Sequence, residues 1–112
     1  MHNRRDHLAQ TLLDAARGVI GDDLPRLRGF VRAQLDALAQ QALYIAAGIA
    51  DGSIDGPMQR HFLDALEEMT RSFVNTLVGL GEIVAERLWN ALVGALWDAM
   101  ASIAAVRLPA HR

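Results

Sequence analysis

Apolar residues recur every three or four positions through most of the chain, which is the spacing of an amphipathic helix. Nowhere do apolar and polar residues alternate at the two-residue period of a strand. The pattern therefore predicts an all-α protein that folds as a single helical domain over residues 1–112. We expect an antiparallel hairpin or bundle of three to four helices, at about 4–20, 24–50, 57–80 and 81–107.

The first predicted helix has signals at both of its ends. Asn3 is a good N-cap, and Asp6 stands three positions later, where it can complete an approximate capping box. Gly21 ends the helix, because glycine readily adopts the left-handed conformation at a C-terminus. The residues expected to be buried are Leu8, Leu12, either Ala15 or Ala16, and Val19.

The second predicted helix carries the most regular apolar stripe. Its spacing alternates between four and three residues, which holds one face toward a partner helix as in a coiled coil. Asp22 and Asp23 are candidate N-caps, and Pro25 fits the first turn, where a missing N–H costs nothing. The stripe consists of Val31, Leu35, Leu38, Ala42, Ile45 and Ile49.

A turn-rich segment from Asp51 to Gly56 separates the second helix from the third. It resembles the first half of a calcium-binding loop, because oxygen-bearing residues occupy positions 1, 3 and 5 and glycine occupies position 6. The twelfth position, however, is Phe62, where such a loop needs a bidentate glutamate. We therefore interpret the segment as an interhelical turn in which Asp55 caps the helix that Pro57 begins.

The last half of the chain follows one long helical pattern. Its apolar stripe stays in phase through Gly79-Leu80-Gly81, and no Ser, Thr, Asp or Asn lies between Gly79 and Glu82 to cap a new helix. These features favour a kinked continuous helix over a corner between two helices. The stripe consists of Phe62, Leu66, Met69, Phe73, Leu77, Leu80, Val84, Leu88 and Leu92.

The segment from Ile83 to Val106 is apolar around most of its circumference, so other helices have to surround it. We expect the preceding helices to leave part of it uncovered, and an exposed apolar surface of that size is a docking site. Ala91, Ala95 and Ala99 lie at four-residue spacing, which lets another backbone approach closely. The predicted interface consists of Val84, Leu88, Trp89, Leu92, Val93, Leu96, Trp97, Met100 and Ile103.

Composition narrows the class of protein. Hydrophobic residues make up 52% of the chain, which excludes a disordered segment, and the absence of cysteine excludes disulfides and thiolate sites. All 11 basic residues are arginine, which together with abundant alanine points to a GC-rich bacterial or phage genome. The start lacks the uninterrupted apolar core of a secretory leader, and Asp98 interrupts the best transmembrane candidate. We therefore expect a cytoplasmic protein.

Charge argues against nucleic acid as the partner. The formal net charge is −2, and few aromatic residues accompany the arginines of the first 32 residues. Arg28 and Arg32 lie one helical turn apart, as two phosphate contacts would. Arg32 and Asp36, at positions i and i+4, are more simply interpreted as a surface ion pair.

No arrangement of residues predicts an enzyme or a cofactor site. The three serines lie in no strand–turn–helix elbow, and no glycine-rich phosphate loop follows a strand. His61, Asp64 and Glu68 share one helix face, where they are placed to donate metal ligands. The chain lacks the Glu-x-x-His motif of di-iron bundles, so we interpret that face as solvated and expect no metal.

Two functions are compatible with the predicted apolar face. The first is a non-enzymatic interaction protein: a subunit, adaptor or regulator that docks through its C-terminal helix. Its partner is a second copy of the chain, which completes the bundle by oligomerisation, or a larger protein. The second function is to cover a lipid surface or bind an apolar ligand, with Trp89 and Trp97 as interfacial anchors. The surplus of apolar surface favours the first.

Overall fold

The structure is a computed structural model that describes residues 4–21, 28–77 and 81–104. These ranges contain helices and connecting turns, and no strand occurs within them. The all-α fold class predicted from the sequence is therefore confirmed. The four helices are α1 (Arg4–Ile20), α2 (Arg28–Ala50), α3 (Gly56–Thr76) and α4 (Glu82–Ala104).

The helices α2 and α4 form the centre of the bundle. They contact each other, and each also contacts both α1 and α3. Among the described residues, α1 and α3 do not contact each other, so they flank the central pair on opposite sides. The Cα atoms span 41 × 34 × 17 Å, which makes the bundle flat, and one apolar core runs through all four helices.

The helix α1 follows the predicted pattern. It ends at Ile20, and Gly21 comes next with a φ of 65°, the left-handed conformation that terminates helices. Val19 is half-buried against the core, whereas the N-cap predicted at Asn3 lies outside the described residues. The fully buried residues are Leu8, Ala9, Leu12 and Ala16.

The helix α2 carries the stripe that its sequence predicts, because all six residues of that stripe are buried. Side chains on its flank tie it to α1, since Nη1 of Arg32 donates a hydrogen bond to Oε1 of Gln10 at 3.2 Å. The structure describes this helix from Arg28 onward, so the caps and the proline predicted at 22–25 lie outside the described residues.

The turn between α2 and α3 is held by its own side chains, as predicted. The carboxylate of Asp55 accepts a hydrogen bond from the backbone N–H of Met58 at 3.3 Å and thereby caps α3. α3 begins one residue earlier than predicted, at Gly56, and Pro57 takes the next position, where its missing N–H costs nothing.

The expected continuous helix from 57 to 107 is wrong. α3 ends at Thr76, and Leu77 is extended with a ψ of 103°, whereas α4 begins at Glu82. Nη1 of Arg71 lies 2.9 Å from Oε1 of Glu86, although one straight helix would separate these residues by about 22 Å. The chain therefore turns a corner between α3 and α4.

Candidate docking surface

Seven of the nine residues predicted to form an interface are buried inside the chain's own core. The helix α4 contacts α1, α2 and α3, so the expectation that the preceding helices leave its apolar face uncovered is wrong for these seven residues. Val84 and Ile103 are half-buried, and the neighbouring Ile83 is 77% exposed. The buried seven are Leu88, Trp89, Leu92, Val93, Leu96, Trp97 and Met100.

Both tryptophans belong to the core. Trp89 is 8% exposed and Trp97 is 7% exposed, so neither ring offers a surface to a lipid or to a partner. The outer side of Trp89 is covered by the guanidinium of Arg71, whose Cζ lies 4.5 Å from the ring centroid. The same guanidinium pairs with Glu86, so one side chain links α3 to α4 beyond their corner.

A surface groove of about 860 Å³ lies where α1, α2 and α4 meet. Small side chains on α4 create it, because Ala95 and Ala99 lie one turn apart and fill little space between the helices. Apolar side chains form the remaining floor, and polar side chains stand along both long sides. The residues that line the groove are Arg4, His7, Leu8, Thr11, Leu43, Ala95, Asp98, Ala99, Ser102 and Ile103.

The two sides of the groove differ in charge. α1 contributes the guanidinium of Arg4 together with His7 and Thr11, whereas α4 contributes the carboxylate of Asp98 and the hydroxyl of Ser102. Asp98 is exposed, so its carboxylate stays in water. The groove therefore combines an apolar floor with one side that carries positive charge and one that carries negative charge.

The other large apolar side chains on the described surface are dispersed. Tyr44 is 65% exposed on α2, Met58 and Met69 are exposed on α3, and Ile83 is exposed on α4. They lie on three different helices and form no continuous stripe along any one of them. No described helix contains a stretch that is long and apolar enough to cross a membrane.

In the segment from Asp51 to Gly56, which resembles part of a calcium-binding loop, both carboxylates form hydrogen bonds within the turn. Oδ1 of Asp51 accepts a hydrogen bond from the backbone N–H of Ser53 at 2.8 Å. Hydrogen bonds from the side chain and the backbone of Ser53 hold the pKa of the Asp51 carboxyl below its ordinary value. With Asp55 engaged as the cap of α3, both carboxylates serve the interhelical turn that the sequence predicts.

The other candidate metal site consists of His61, Asp64 and Glu68 on α3. Its side chains are either paired with another residue or exposed. Asp64 pairs with Arg60 at 2.9 Å, and Arg60 also approaches the buried Glu67 at 3.9 Å. His61 and Glu68 are exposed on the surface of α3. Among the described residues, no three His, Asp or Glu side chains are grouped closely enough to hold a metal ion.

The ion pair predicted between Arg32 and Asp36 is confirmed, with 3.4 Å between Nε and Oδ1. Both side chains are partly exposed, so the pair lies on the surface of α2. The side chain of Arg28, the other residue considered for phosphate binding, lies outside the described residues.

Sequence reasoning identified the alanines that α4 contributes to the groove and missed the residues that α1 contributes. The four-residue spacing of Ala95 and Ala99 signalled a close approach of backbones, whereas nothing local marked Arg4, His7 or Thr11 as their neighbours. No protein-family model, curated protein or solved structure matches this chain. The chemistry of the groove is therefore the guide to function.

Proposed function

We propose that the chain is a non-enzymatic interaction protein that binds an amphipathic helix of a larger protein in the groove between α1 and α4. In this role it acts as a subunit, adaptor or regulator. The observation that carries the proposal is the groove itself, with its small-residue floor and its charged sides. The proposal keeps the docking surface on the C-terminal helix, but of the nine residues that the sequence suggested it uses only Ile103.

The dimensions of the groove suit a helix. From Ala95 to Ile103 the wall formed by α4 rises about 12 Å, which corresponds to about two turns of a bound helix. Helices that dock in such grooves anchor through apolar residues at i, i+3 or i+4, and i+7. The methyl groups of Ala95 and Ala99 leave space for those anchors, and the half-buried Leu43 and Ile103 provide apolar contact.

The opposite charges on the two sides of the groove favour a partner helix that carries complementary charges along the two borders of its apolar face. An acidic side chain on the partner would face Arg4, and a basic side chain would face Asp98. Such pairs lie at the rim and contribute mainly to specificity and to the rate of association. The proposed partner is therefore an amphipathic helix with acidic residues along one border of its apolar face and basic residues along the other.

A lipid surface is the less favoured alternative. Trp89 and Trp97, which were the candidate interfacial anchors, are buried. An interfacial helix needs a broad apolar face opposite a charged one, and the exposed apolar side chains are divided among α2, α3 and α4. Binding to vesicles is therefore not expected.

Photo-cross-linking in the cells that make the protein tests the proposal. A photoreactive side chain replaces Thr11 on the groove, and in a matched control it replaces Ala33, which is exposed on α2 and does not line the groove. We expect a covalent adduct of one defined mass from position 11 and none from position 33. Ala99→Gln, which fills the floor, should weaken this binding by at least about tenfold, equivalent to about 1.4 kcal/mol.

Three outcomes contradict the proposal. Adducts that form equally from both positions would indicate random collision, and an adduct that Ala99→Gln leaves unchanged would place the partner outside the groove. Flotation of the purified protein with anionic vesicles, lost in Ala99→Gln, would replace the protein partner with lipid. The folded state of each variant is checked by its helical circular dichroism.

A further inference from the structure

The turn between α2 and α3 contains the dipeptide Asp-Gly twice, as Asp51-Gly52 and as Asp55-Gly56. In this dipeptide the glycine nitrogen can attack the aspartate side chain, because the resulting five-membered ring has little strain and glycine has no Cβ to hinder the approach. All four residues are exposed, so water reaches both pairs. The two pairs are the same in chemistry and differ in the hydrogen bonds that hold them.

The first pair is held firmly. The N–H of Gly52 donates to the carbonyl oxygen of Ile49 at 3.3 Å, so the attacking nitrogen is engaged. Oδ1 of Asp51 accepts a hydrogen bond from the backbone N–H of Ser53 at 2.8 Å. Hydrogen bonds from Ser53 also hold the pKa of the Asp51 carboxyl below its ordinary value, so less of this group is in the neutral form whose hydroxyl can leave as water.

The second pair is held less firmly. Gly56 is the first residue of α3, and the N–H groups of a first turn have no acceptor within their own helix. The carboxylate of Asp55 accepts from Met58 N–H at 3.3 Å, which is longer than the bond at Asp51. The first three residues of α3 are exposed, so little packing resists a local opening of this turn.

We propose that Asp55-Gly56 is a site of spontaneous isomerisation to isoaspartate in the folded protein, whereas Asp51-Gly52 is protected. The Gly56 nitrogen loses its proton and bonds to Cγ of the neutral Asp55 carboxyl, whose hydroxyl leaves with a proton as water. The product is a succinimide, and water then adds to one of its two carbonyl carbons. Addition at Cγ restores aspartate, whereas addition at the main-chain carbonyl breaks the original peptide bond and leaves Gly56 attached through Cγ. One water is released and one is taken up, so no other reactant is needed.

Isomerisation at this position removes the cap of α3. The main chain of isoaspartate runs through the former side chain and is longer by one carbon, so no carboxylate remains where it accepts from Met58 N–H. The former carbonyl group of Asp55, which accepts from Gln59 N–H at 2.7 Å, becomes the free carboxylate. We therefore expect the isomerised protein to unfold at a lower urea concentration. Neither aspartate lines the groove between α1 and α4, so this proposal is tested independently of groove binding.

Peptide mapping of the aged protein tests the proposal. The chain is incubated at neutral pH, once folded and once unfolded in urea, and is then cleaved with trypsin, which releases Ala33 to Arg60 as one peptide with both pairs. Electron-transfer fragmentation of this peptide locates isoaspartate at each position. The rate at each site in the folded protein is divided by its rate in the unfolded chain, which removes the effect of neighbouring residues. We expect this ratio to be several times larger at Asp55 than at Asp51.

Three variants separate the causes. Ser53→Ala removes the hydroxyl that bonds Asp51, so it should raise the ratio at Asp51 and leave the ratio at Asp55 unchanged. Gly56→Ala fits the structure, since a Cβ there meets nothing within 4 Å, and its methyl group should slow the reaction at Asp55. Asp55→Ser retains a side-chain cap without a carboxyl, so it should keep its urea midpoint during an incubation that lowers the midpoint of the natural chain.

Equal ratios at the two sites, or a larger ratio at Asp51, would overturn the proposal. A folded protein that accumulates no isoaspartate at Asp55 would overturn it as well. If Ser53→Ala leaves the ratio at Asp51 unchanged, the protection assigned to Ser53 is wrong. Circular dichroism before incubation verifies that each variant is folded.

Discussion

The guanidinium of Arg71 stacks on the ring of Trp89, with 4.5 Å between Cζ and the ring centroid. The same group reaches Oε1 of Glu86 at 2.9 Å. One side chain on α3 thus makes a cation–π contact and an ion pair with α4, on the flank of the bundle that lies away from α1.

Removing the Arg71 side chain should destabilise the protein modestly. We expect Arg71→Ala to lower the free energy of unfolding by about 1 kcal/mol, because the contact with Trp89 is close but the guanidinium is partly exposed. Urea denaturation followed by tryptophan fluorescence measures the change. Glu86→Gln is the matched control: it removes the ion pair and retains the stacking, so a loss equal to that of Arg71→Ala would contradict the role given to Trp89.

The two ends of α4 should respond very differently to truncation. Leu96 is completely buried, so Leu96→Ala should cost about 2–5 kcal/mol, whereas Ile83 is 77% exposed and Ile83→Ala should be nearly neutral. Thermal and urea denaturation of both variants test this contrast. Equal effects would mean that α4 is not seated in the core as described.

Two glycines inside helices should differ in the effect of an added methyl group. A Cβ at Gly48 would lie 2.5 Å from Cδ1 of Ile54, which folds back over this turn, whereas a Cβ at Gly94 meets nothing within 4 Å. Gly94→Ala should therefore stabilise the protein by about 1 kcal/mol through helix propensity. Gly48→Ala should lose that gain and destabilise by about 1 kcal/mol through overpacking. Calorimetry of the two variants gives the comparison, and a stabilised Gly48→Ala would show that Ile54 moves aside freely.

Acid should weaken the turn between α2 and α3 through Asp51. The pKa of this carboxyl is lower in the folded protein than in the unfolded chain, because the side chain and the backbone of Ser53 donate hydrogen bonds to its ionised form. The stabilisation is therefore complete above the unfolded pKa and is lost as the pH falls through about 4 and below. Asp51→Asn should unfold with a shallower dependence on pH in this window. NMR titration of the carboxyl carbon checks the shift, and an Asp51 pKa at its ordinary value would refute the mechanism.

The features predicted correctly from the sequence are those that depend on the spacing of residues close together along the chain. The alternating spacing of four and three residues in α2 identified all six members of its buried stripe, and Asp55 was recognised as the cap of α3 from its position before Pro57. These features depend on residues within one or two turns of each other. Pattern reasoning therefore needed no knowledge of the other helices.

The errors came from features that depend on tertiary contacts. A stripe in helical phase is the same for one long helix and for two helices joined by a corner, so the spacing from Phe62 to Leu92 did not discriminate between them. The pairing of Arg71 with Glu86 settles the corner, and it joins residues 15 positions apart. Likewise, the apolar circumference of α4 indicated that this helix is surrounded, but only the packed structure shows that α1, α2 and α3 suffice.

Within residues 4–21, 28–77 and 81–104, α1 and α3 make no contact, and this has a consequence for how substitutions combine. The two outer helices are coupled only through the central pair, so a substitution at Leu12 on α1 and one at Phe73 on α3 share no direct contact between their helices. Where the two side chains also contact no common residue of α2 or α4, their free-energy changes should be additive to within a few tenths of a kcal/mol. The two flanks of this flat bundle are thus expected to accumulate substitutions independently, so that either flank can diverge without a compensating change in the other.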